Sequence, residues 1–308
     1  MSVVVFGSCN MDLTIRVSKL PKVGQTIVGK SLRKYPGGKG ANQAVAAARL
    51  GARCYLYCIL GDDDPGLELR SFLQNECIGV EGIEVRDNKK TGQAIILVDD
   101  DGYNMIVYLP GANSLVDETY AKKALKRIQT ADVLLLQLEL PLSVVSYVLH
   151  HVPSDKPHVI LDPSPAQDLN YLPVSRVDII TPNQQELLML TGEKDYRKAA
   201  GCLLDLGVKT VICKAGSEGA YLAKKNIWKH IPSFHVDAID TTACGDAFNG
   251  ALAVALAEGQ PIEDAILFAN AAGALAATKQ GAQPSLPYRR ELNMFLEKQH
   301  RLWKQARK

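Results

Sequence analysis

The chain has 308 residues, with 35 Lys and Arg against 33 Asp and Glu and a net charge of +2. So even a balance argues against a nucleic-acid or membrane-surface binder. The hydrophobic share of 47% with only 6% aromatics fits an Ala- and Leu-rich α/β core, and no apolar run is long enough to cross a bilayer. Seven cysteines without a CxxC pair read as reduced thiols of a cytoplasmic protein rather than a disulfide or zinc framework, and the six histidines form no HExxH. No signal peptide precedes Ser2-Val-Val-Val-Phe-Gly7. The basic run from Lys298 to Lys308 reads as a solvated helix end.

In chain order, residues 3–6 form a short β-branched run, predicted as a buried first strand. Gly7-Ser-Cys-Asn10-Met-Asp12 leaves its carboxyl end. Asn10 and Asp12 are two apart, so in extended chain they face the same side, and an amide with a carboxylate suits polyol hydroxyls. Asx turn residues leaving a strand would read the same way. Residues 13–34 alternate apolar and polar and predict strands of a small second sheet. Within them Gly24-Gln-Thr-Ile-Val-Gly-Lys30-Ser31 matches the Walker A pattern letter for letter. That match is rejected: a P-loop follows a buried strand and opens a helix, whereas here Thr-Ile-Val favours extended chain and Pro36 follows. Pro36-Gly-Gly-Lys-Gly-Ala-Asn42 opens a helix at 42–50. It is either a Gly-rich turn capping that helix or a site where backbone, Lys39 and Asn42 approach a ligand closely.

A helix is expected at 66–75. Residues 91–110 alternate again around Asp99-Asp-Asp-Gly102, a hairpin signal that completes a small lid sheet inserted at about 13–34 and 91–110 of a single 308-residue domain. Helices at 117–129, 142–151, 184–190, 194–206, 246–258, 262–278 and 286–301 alternate with strands at 133–137, 158–161, 177–181 and 210–214. This alternation predicts an α/β fold, a doubly wound and mostly parallel sheet with helices on both faces. Ligands then sit at the carboxyl ends of the strands. Glu139 follows one such strand. Asn183 and Glu186 follow another with capping-box spacing, and Lys214-Ala-Gly216-Ser217-Glu-Gly219 leaves a third.

The most informative stretch is Asp240-Thr-Thr242-Ala243-Cys244-Gly245-Asp246, which runs into an Ala/Leu-rich helix. Small residues at a helix start let an anion reach unpaired N–H groups at the positive end of the dipole. A carboxylate beside an anion hole is awkward unless it takes a proton next to a phosphate, which is the requirement of phosphoryl transfer to a hydroxyl.

Together, Gly37-Gly-Lys-Gly-Ala-Asn42-Gln-Ala and Asp240-Thr-Thr-Ala-Cys-Gly-Asp246 resemble the PfkB family of sugar kinases, and within it the ribokinase group, in the right order across Asn10 to Ser285. The resemblance implies ATP-dependent phosphorylation of D-ribose at its 5-hydroxyl, with another pentose, deoxyribose or a nucleoside as alternatives and a non-catalytic sugar binder as the remote one. It implies that Asn10, Asp12, Gly38, Lys39, Asn42 and Glu139 bind the sugar, that Asp246 is the base, and that Ala243, Cys244 and Gly245 form the anion hole. By the same resemblance Asn183, Lys214, Gly216, Ser217, Gly219, Gly245 and Asn270 contact ATP, and Glu186 organises Mg²⁺ through water. Asp240, Thr242, Ala276, Lys279, Gly281 and Ser285 surround an activating K⁺, and the lid pairs across a homodimer. Two positions depart from the family: Cys244, which stands where Gly or Ala is usual and could confer oxidation sensitivity, and Lys214, which stands where a small polar residue is common. Lys279 either leaves the cation loop by its side chain or replaces K⁺ with its ammonium. Asp246 is expected to behave as an ordinary acid, with a pKa of roughly 4.

Overall fold

The computed structural model describes residues 1–101 and 103–306. Gly102 of the expected hairpin turn, the side chains of 301–306 and the last two residues of the basic C-terminal run lie outside the described residues. In chain order the elements are β1 (Ser2–Phe6), β2 (Asn10–Val17), β3 (Gly29–Gly37), α1 (Lys39–Arg49), β4 (Arg53–Gly61), α2 (Asp64–Asn75), β5 (Ile83–Arg86), β6 (Gly92–Val98) and β7 (Asn104–Leu109). They continue with α3 (Glu118–Ile128), β8 (Val133–Leu136), α4 (Leu142–His151), β9 (His158–Leu161), β10 (Ile179–Ile180), α5 (Gln184–Thr191) and α6 (Tyr196–Asp205). The last are β11 (Thr210–Lys214), β12 (Gly219–Lys224), β13 (Ile227–Pro232), α7 (Cys244–Ala257), α8 (Ile262–Ala277) and α9 (Arg289–Ala306).

The main sheet has nine strands in the order β13-β12-β11-β10-β9-β8-β1-β4-β5. From β11 to β5 every pairing is parallel, while β12 and β13 close one edge as an antiparallel hairpin. Successive side chains of a strand face opposite ways, and the two cores divide accordingly. Val3, Val5, Val133 and Leu135 pack with α1, α2, α7 and α8, whereas Val4, Phe6, Leu134 and Leu136 pack with α3, α4 and α6. The doubly wound expectation therefore holds. One central strand was not anticipated: β4, which pairs directly with β1. Its sequence, Arg53-Cys-Tyr-Leu-Tyr-Cys-Ile-Leu-Gly61, is a continuous apolar run between glycines, the signature of a strand buried on both faces.

The second sheet has the order β3-β2-β6-β7. β2 starts at Asn10 rather than at 13, so Asn10 and Asp12 lie in the lid strand itself, paired with Gly37 and Tyr35 of β3 and with Gly92 and Ala94 of β6. β6 and β7 form the expected hairpin, with the Asp99 carboxylate accepting from the Asp101 and Tyr103 N–H groups at 3.1 and 2.9 Å. The Walker-like stretch runs from an exposed turn at Gly24 into β3, so it opens a strand and not a helix. Leu32, Met105, Ile106 and Val107 are exposed on this sheet.

Candidate active site

Every main-sheet strand that leads to a site residue does so at its carboxyl end, while the lid strand β2 carries Asn10 and Asp12 at its start. β1 leads to Asn10, β8 to Gln137 and Glu139, β9 to Asp162, β10 to Asn183, and β11 to Lys214. The lid sheet covers these ends from one side and the start of α7 from another. Two cavities result. One, about 850 Å³, lies under the lid and is lined by Asn10, Asp12, Gly38, Lys39, Asn42 and Glu139. The other, about 790 Å³, lies against α7 and α8 and is lined by Asn183, Glu186, Lys214, the Gly216–Gly219 turn and Asn270. Lys39, Ala243 and Asp246 border both.

Asp246 sits in the first turn of α7 and is 6% exposed. Its carboxylate accepts from Asn42 Nδ2 at 2.8 Å and from Gln43 Nε2 at 3.0 Å. Burial pushes its pKa up to about 6; Lys39 and the two amide bonds pull the other way, and the Asp162 carboxylate adds to the rise. The expectation of an ordinary acid near 4 is thus corrected: water is scarce at this carboxylate, and two amides with one ammonium only partly replace it. Ala243 precedes the helix in the left-handed region, at φ 58°, and no side chain caps the helix. That conformation costs on the order of 1 kcal/mol for a residue with a Cβ. It leaves the start of α7 bordering the cavity without a side-chain acceptor. Cys244 N–H makes a 3.3 Å turn bond to Thr241 O.

Under the lid, Asp12 is pushed up to about 7 by burial and by the nearby Glu139 and Asp246 carboxylates, against the pull of Lys39. Lys39 answers that crowd. Burial alone would depress its ammonium, yet Asp246, Asp162, Glu139 and Glu186 together hold it above its ordinary value. Glu139 is fixed by the Ser8 hydroxyl and by the Lys39 backbone N–H, which donates at 3.1 Å. The glycines of the turn are steric necessities: a Cβ on Gly37 would lie 2.1 Å from Asp12 Oδ2, and one on Gly38 would lie 2.7 Å from the Asn10 nitrogen. The helix-start reading holds, since α1 begins at Lys39, and Gly38, Lys39 and Asn42 also border the cavity under the lid.

On the other side, Asn183 and Glu186 do form the capping box, at 2.8 Å each way, and both line the cavity. Asn270 spends its amide donors on the Ile231 and Pro232 carbonyls, both at 3.1 Å, so it ties α8 to the end of β13 besides lining the cavity. Asp240 accepts from Thr242 N–H and Oγ at 2.9 and 2.6 Å and from Gly281 N–H at 2.9 Å. Ser285 Oγ donates to Ala282 O at 2.7 Å, and Ala276 O accepts from Lys279 N–H at 3.1 Å. The Lys279 ammonium points outward to Glu291 at 2.9 Å, which settles the alternative in favour of a side chain leaving the loop. The Cys244 thiol is pushed up to about 12 by burial and by Asp240 and Asp246, which disfavours the reactive thiolate.

Four residues were missed by sequence reasoning. Gln43, Gln137 and Asp162 form a buried chain behind Asp246, and Asn113 donates to Asn10 Oδ1 at 2.7 Å while accepting from Cys9 N–H at 3.1 Å. Gln137 and Asp162 each stand one position past a buried strand, much as Glu139 does; Gln43 and Asn113 carry no such signal.

This fold, with two polar cavities meeting at one buried carboxylate under a β lid, defines a class. The chain matches the pfkB family of carbohydrate kinases over residues 1–289, and it belongs to that family. It is 40% identical to the ribokinase of Haemophilus influenzae over 301 residues, covering 96% of this chain and 98% of that protein. Among solved structures it resembles the ribokinase of Thermotoga maritima, with a TM-score of 0.87 and 38% identity over 96% of this chain and 99% of that one. It also resembles Arabidopsis thaliana ribokinase complexed with ribose and ATP, with a TM-score of 0.86 and 34% identity over 96% and 98% of the two chains.

Proposed function

We propose that this chain transfers the γ-phosphoryl group of ATP to the 5-hydroxyl of D-ribose, giving ribose 5-phosphate and ADP. The observation that carries the reading is the position of Asp246, on the wall shared by the two cavities and at the mouth of α7. A pentose fits under the lid, its hydroxyls facing Asn10, Asp12, Lys39, Asn42 and Glu139. ATP takes the second cavity, with its phosphates towards Lys214, the Gly216–Gly219 turn and the Ala243–Gly245 amides. Asp246 accepts the proton of the primary hydroxyl as that oxygen attacks in line. Its raised pKa brings it nearer to neutrality, where a general base works best. The transition state is loose, so positioning and charge stabilisation carry most of the rate, with each donor of the anion hole contributing about 3 kcal/mol.

The residues present fit both ions of the reading. Glu186 offers a hard oxygen beside the phosphate path. Among the described residues no group of three His, Cys, Asp or Glu could hold an ion directly, which suits a Mg²⁺ carried mainly by phosphates and water. Bound there, Mg²⁺ would neutralise developing charge on the phosphoryl oxygens. For K⁺, the loop supplies Asp240, Thr242 and the 276–285 segment, whose Gln283 side chain is buried with both polar atoms unpartnered. The exposed apolar residues of the lid support a homodimer through that sheet, and seven unpaired cysteines support a reducing, cytoplasmic setting.

The deciding experiment is an ADP-release assay over a sugar panel: ribose, deoxyribose, other pentoses and nucleosides, compared by kcat/KM. Ribose should lead, because deoxyribose leaves a buried polar partner without its hydroxyl. A higher kcat/KM for any other member would reassign the substrate.

A further inference from the structure

The surroundings of Lys214 show how a largely buried lysine is accommodated. β10 lies between β9 and β11, so the ends of those two strands stand about 10 Å apart at the usual strand spacing. The long stem of Lys214 spans that gap, and its ammonium donates to Asp162 Oδ1 at 3.0 Å. The pair is buried, with side-chain exposures of 13% and 2%. A buried ion pair is kept only where further hydrogen bonds satisfy its remaining atoms. Here Asp162 Oδ2 accepts from Gln43 Nε2 at 2.9 Å, and that same nitrogen donates to Asp246 Oδ1 at 3.0 Å. Gln43 is fully buried, and its oxygen accepts from Gln137 Nε2 at 2.7 Å, which pins the amide in one orientation. At the other end of the chain of contacts, a Cβ on Gly245 would stand 3.4 Å from Lys214 Nζ. The ammonium therefore lies beside the first turn of α7.

We propose that Asp162 and Lys214 act as one positioning pair, in which Asp162 holds the Lys214 ammonium against the anion-hole turn and, through Gln43, fixes the orientation of the Asp246 carboxylate. This rests on the kinase reading above. One charged unit then serves both reactants: its cationic end faces the phosphates, and its anionic end orients the base that takes the sugar's proton. Neither residue works well alone. Without Lys214, Asp162 is an uncompensated negative charge near Asp246. Without Asp162, the ammonium loses its anchor and Gln43 loses one of its two acceptors.

The test uses the full chain and the variants Asp162→Asn, Lys214→Met and their combination, assayed with ribose and MgATP. Each single change should lower kcat by about tenfold or more with the ribose KM within about twofold of normal, and the combined variant should lose clearly less than the product of the two. The pH profile of kcat supplies a readout that a purely structural role would leave still. The charged groups around Asp246 are Lys39 from α1, Asp12 from β2, Asp162 beyond β9 and Lys214 from β11. Removing Lys214 should move the acid limb up in pH and removing Asp162 should move it down. Gln43→Leu, which cuts the link and spares the ion pair, should also lose about tenfold in kcat. Additive losses, an unmoved limb, normal turnover of Gln43→Leu, or an Asp162→Asn defect cured by raised Mg²⁺ would each overturn the pair. A wild type inactive on every sugar removes the kinase reading and this one with it. An active wild type with additive variants removes this one alone.

Discussion

The two cavities are built from different material. The one under the lid presents side chains: Asn10, Asp12, Lys39, Asn42 and Glu139 all project into it. The one beside α7 presents mostly small residues and chain turns, among them Gly216, Gly219, Gly245, Gly273 and Ala274. The difference matches what each would grip in the proposed reaction. Hydroxyls of a small polyol are distinguished by a fixed set of donors and acceptors, which only side chains can vary. Phosphates and a flat base need donors at close range and room for approach, which backbone with small residues provides. Substitutions in the first cavity should therefore alter which sugar is used, and how well. Substitutions in the second should be felt mainly where a side chain adds bulk.

The largest expected effect lies on the shared wall. Asp246→Asn should still fold and bind ribose, yet lose at least ~10³ in turnover; near-normal steady-state rates would sink the assignment. Next comes a change that replaces no side chain of the site but crowds one. Gly37→Ala places a Cβ 2.1 Å from the Asp12 carboxylate. It should raise the ribose KM by about 10- to 100-fold and leave the ATP KM near normal, since one charged hydrogen bond contributes roughly 1.5–3 kcal/mol. Equal changes in both constants would show that the cavities are not independent.

The pH profile sharpens the comparison further. Asp246 and Asp12 have pKa values pushed up to about 6 and about 7; in the proposed reaction Asp246 takes a proton only when ionised, and Asp12 accepts from two hydroxyls at once best as a carboxylate. Activity is therefore expected to be complete above these values and lost as pH falls through them. We expect the acid limb of kcat/KM for ribose between about pH 6 and 7 rather than near 4, steeper than a single titration. Asp12→Asn should leave a single limb near 6. The smallest effect is expected at Lys279. Its ammonium is held by Glu291 at the surface, so Lys279→Met should change stability by less than about 0.5 kcal/mol and leave any K⁺ stimulation intact. Loss of that stimulation would return the ammonium to the cation loop.

The legibility of the site follows the same division. Asn10, Asp12 and Glu139 each follow a buried strand, but position alone fits turn or surface residues equally well, and it is the family resemblance that marks them for the sugar. Asp162 obeyed the same rule and went unread, since a single Asp after a strand looks like any turn. Gln43 was hidden inside a helix that its Ala-rich neighbours explain well enough. β4 was passed over although its apolar run between two glycines is a strand signal as strong as that of β1.

The sequence by itself determined the alternation of strands and helices, the Gly-rich turn at 37–40 and the small-residue helix start before Asp246. These depend on short-range features: periodicity, missing Cβ atoms and unpaired amides at a helix start. Only the tertiary structure decided that Asp246 is buried with an elevated pKa, that Lys279 faces outward, and that Lys214 reaches Asp162 across an intervening strand. Those outcomes depend on desolvation and on charges brought together from distant parts of the chain, and neither quantity exists until the sheet has formed.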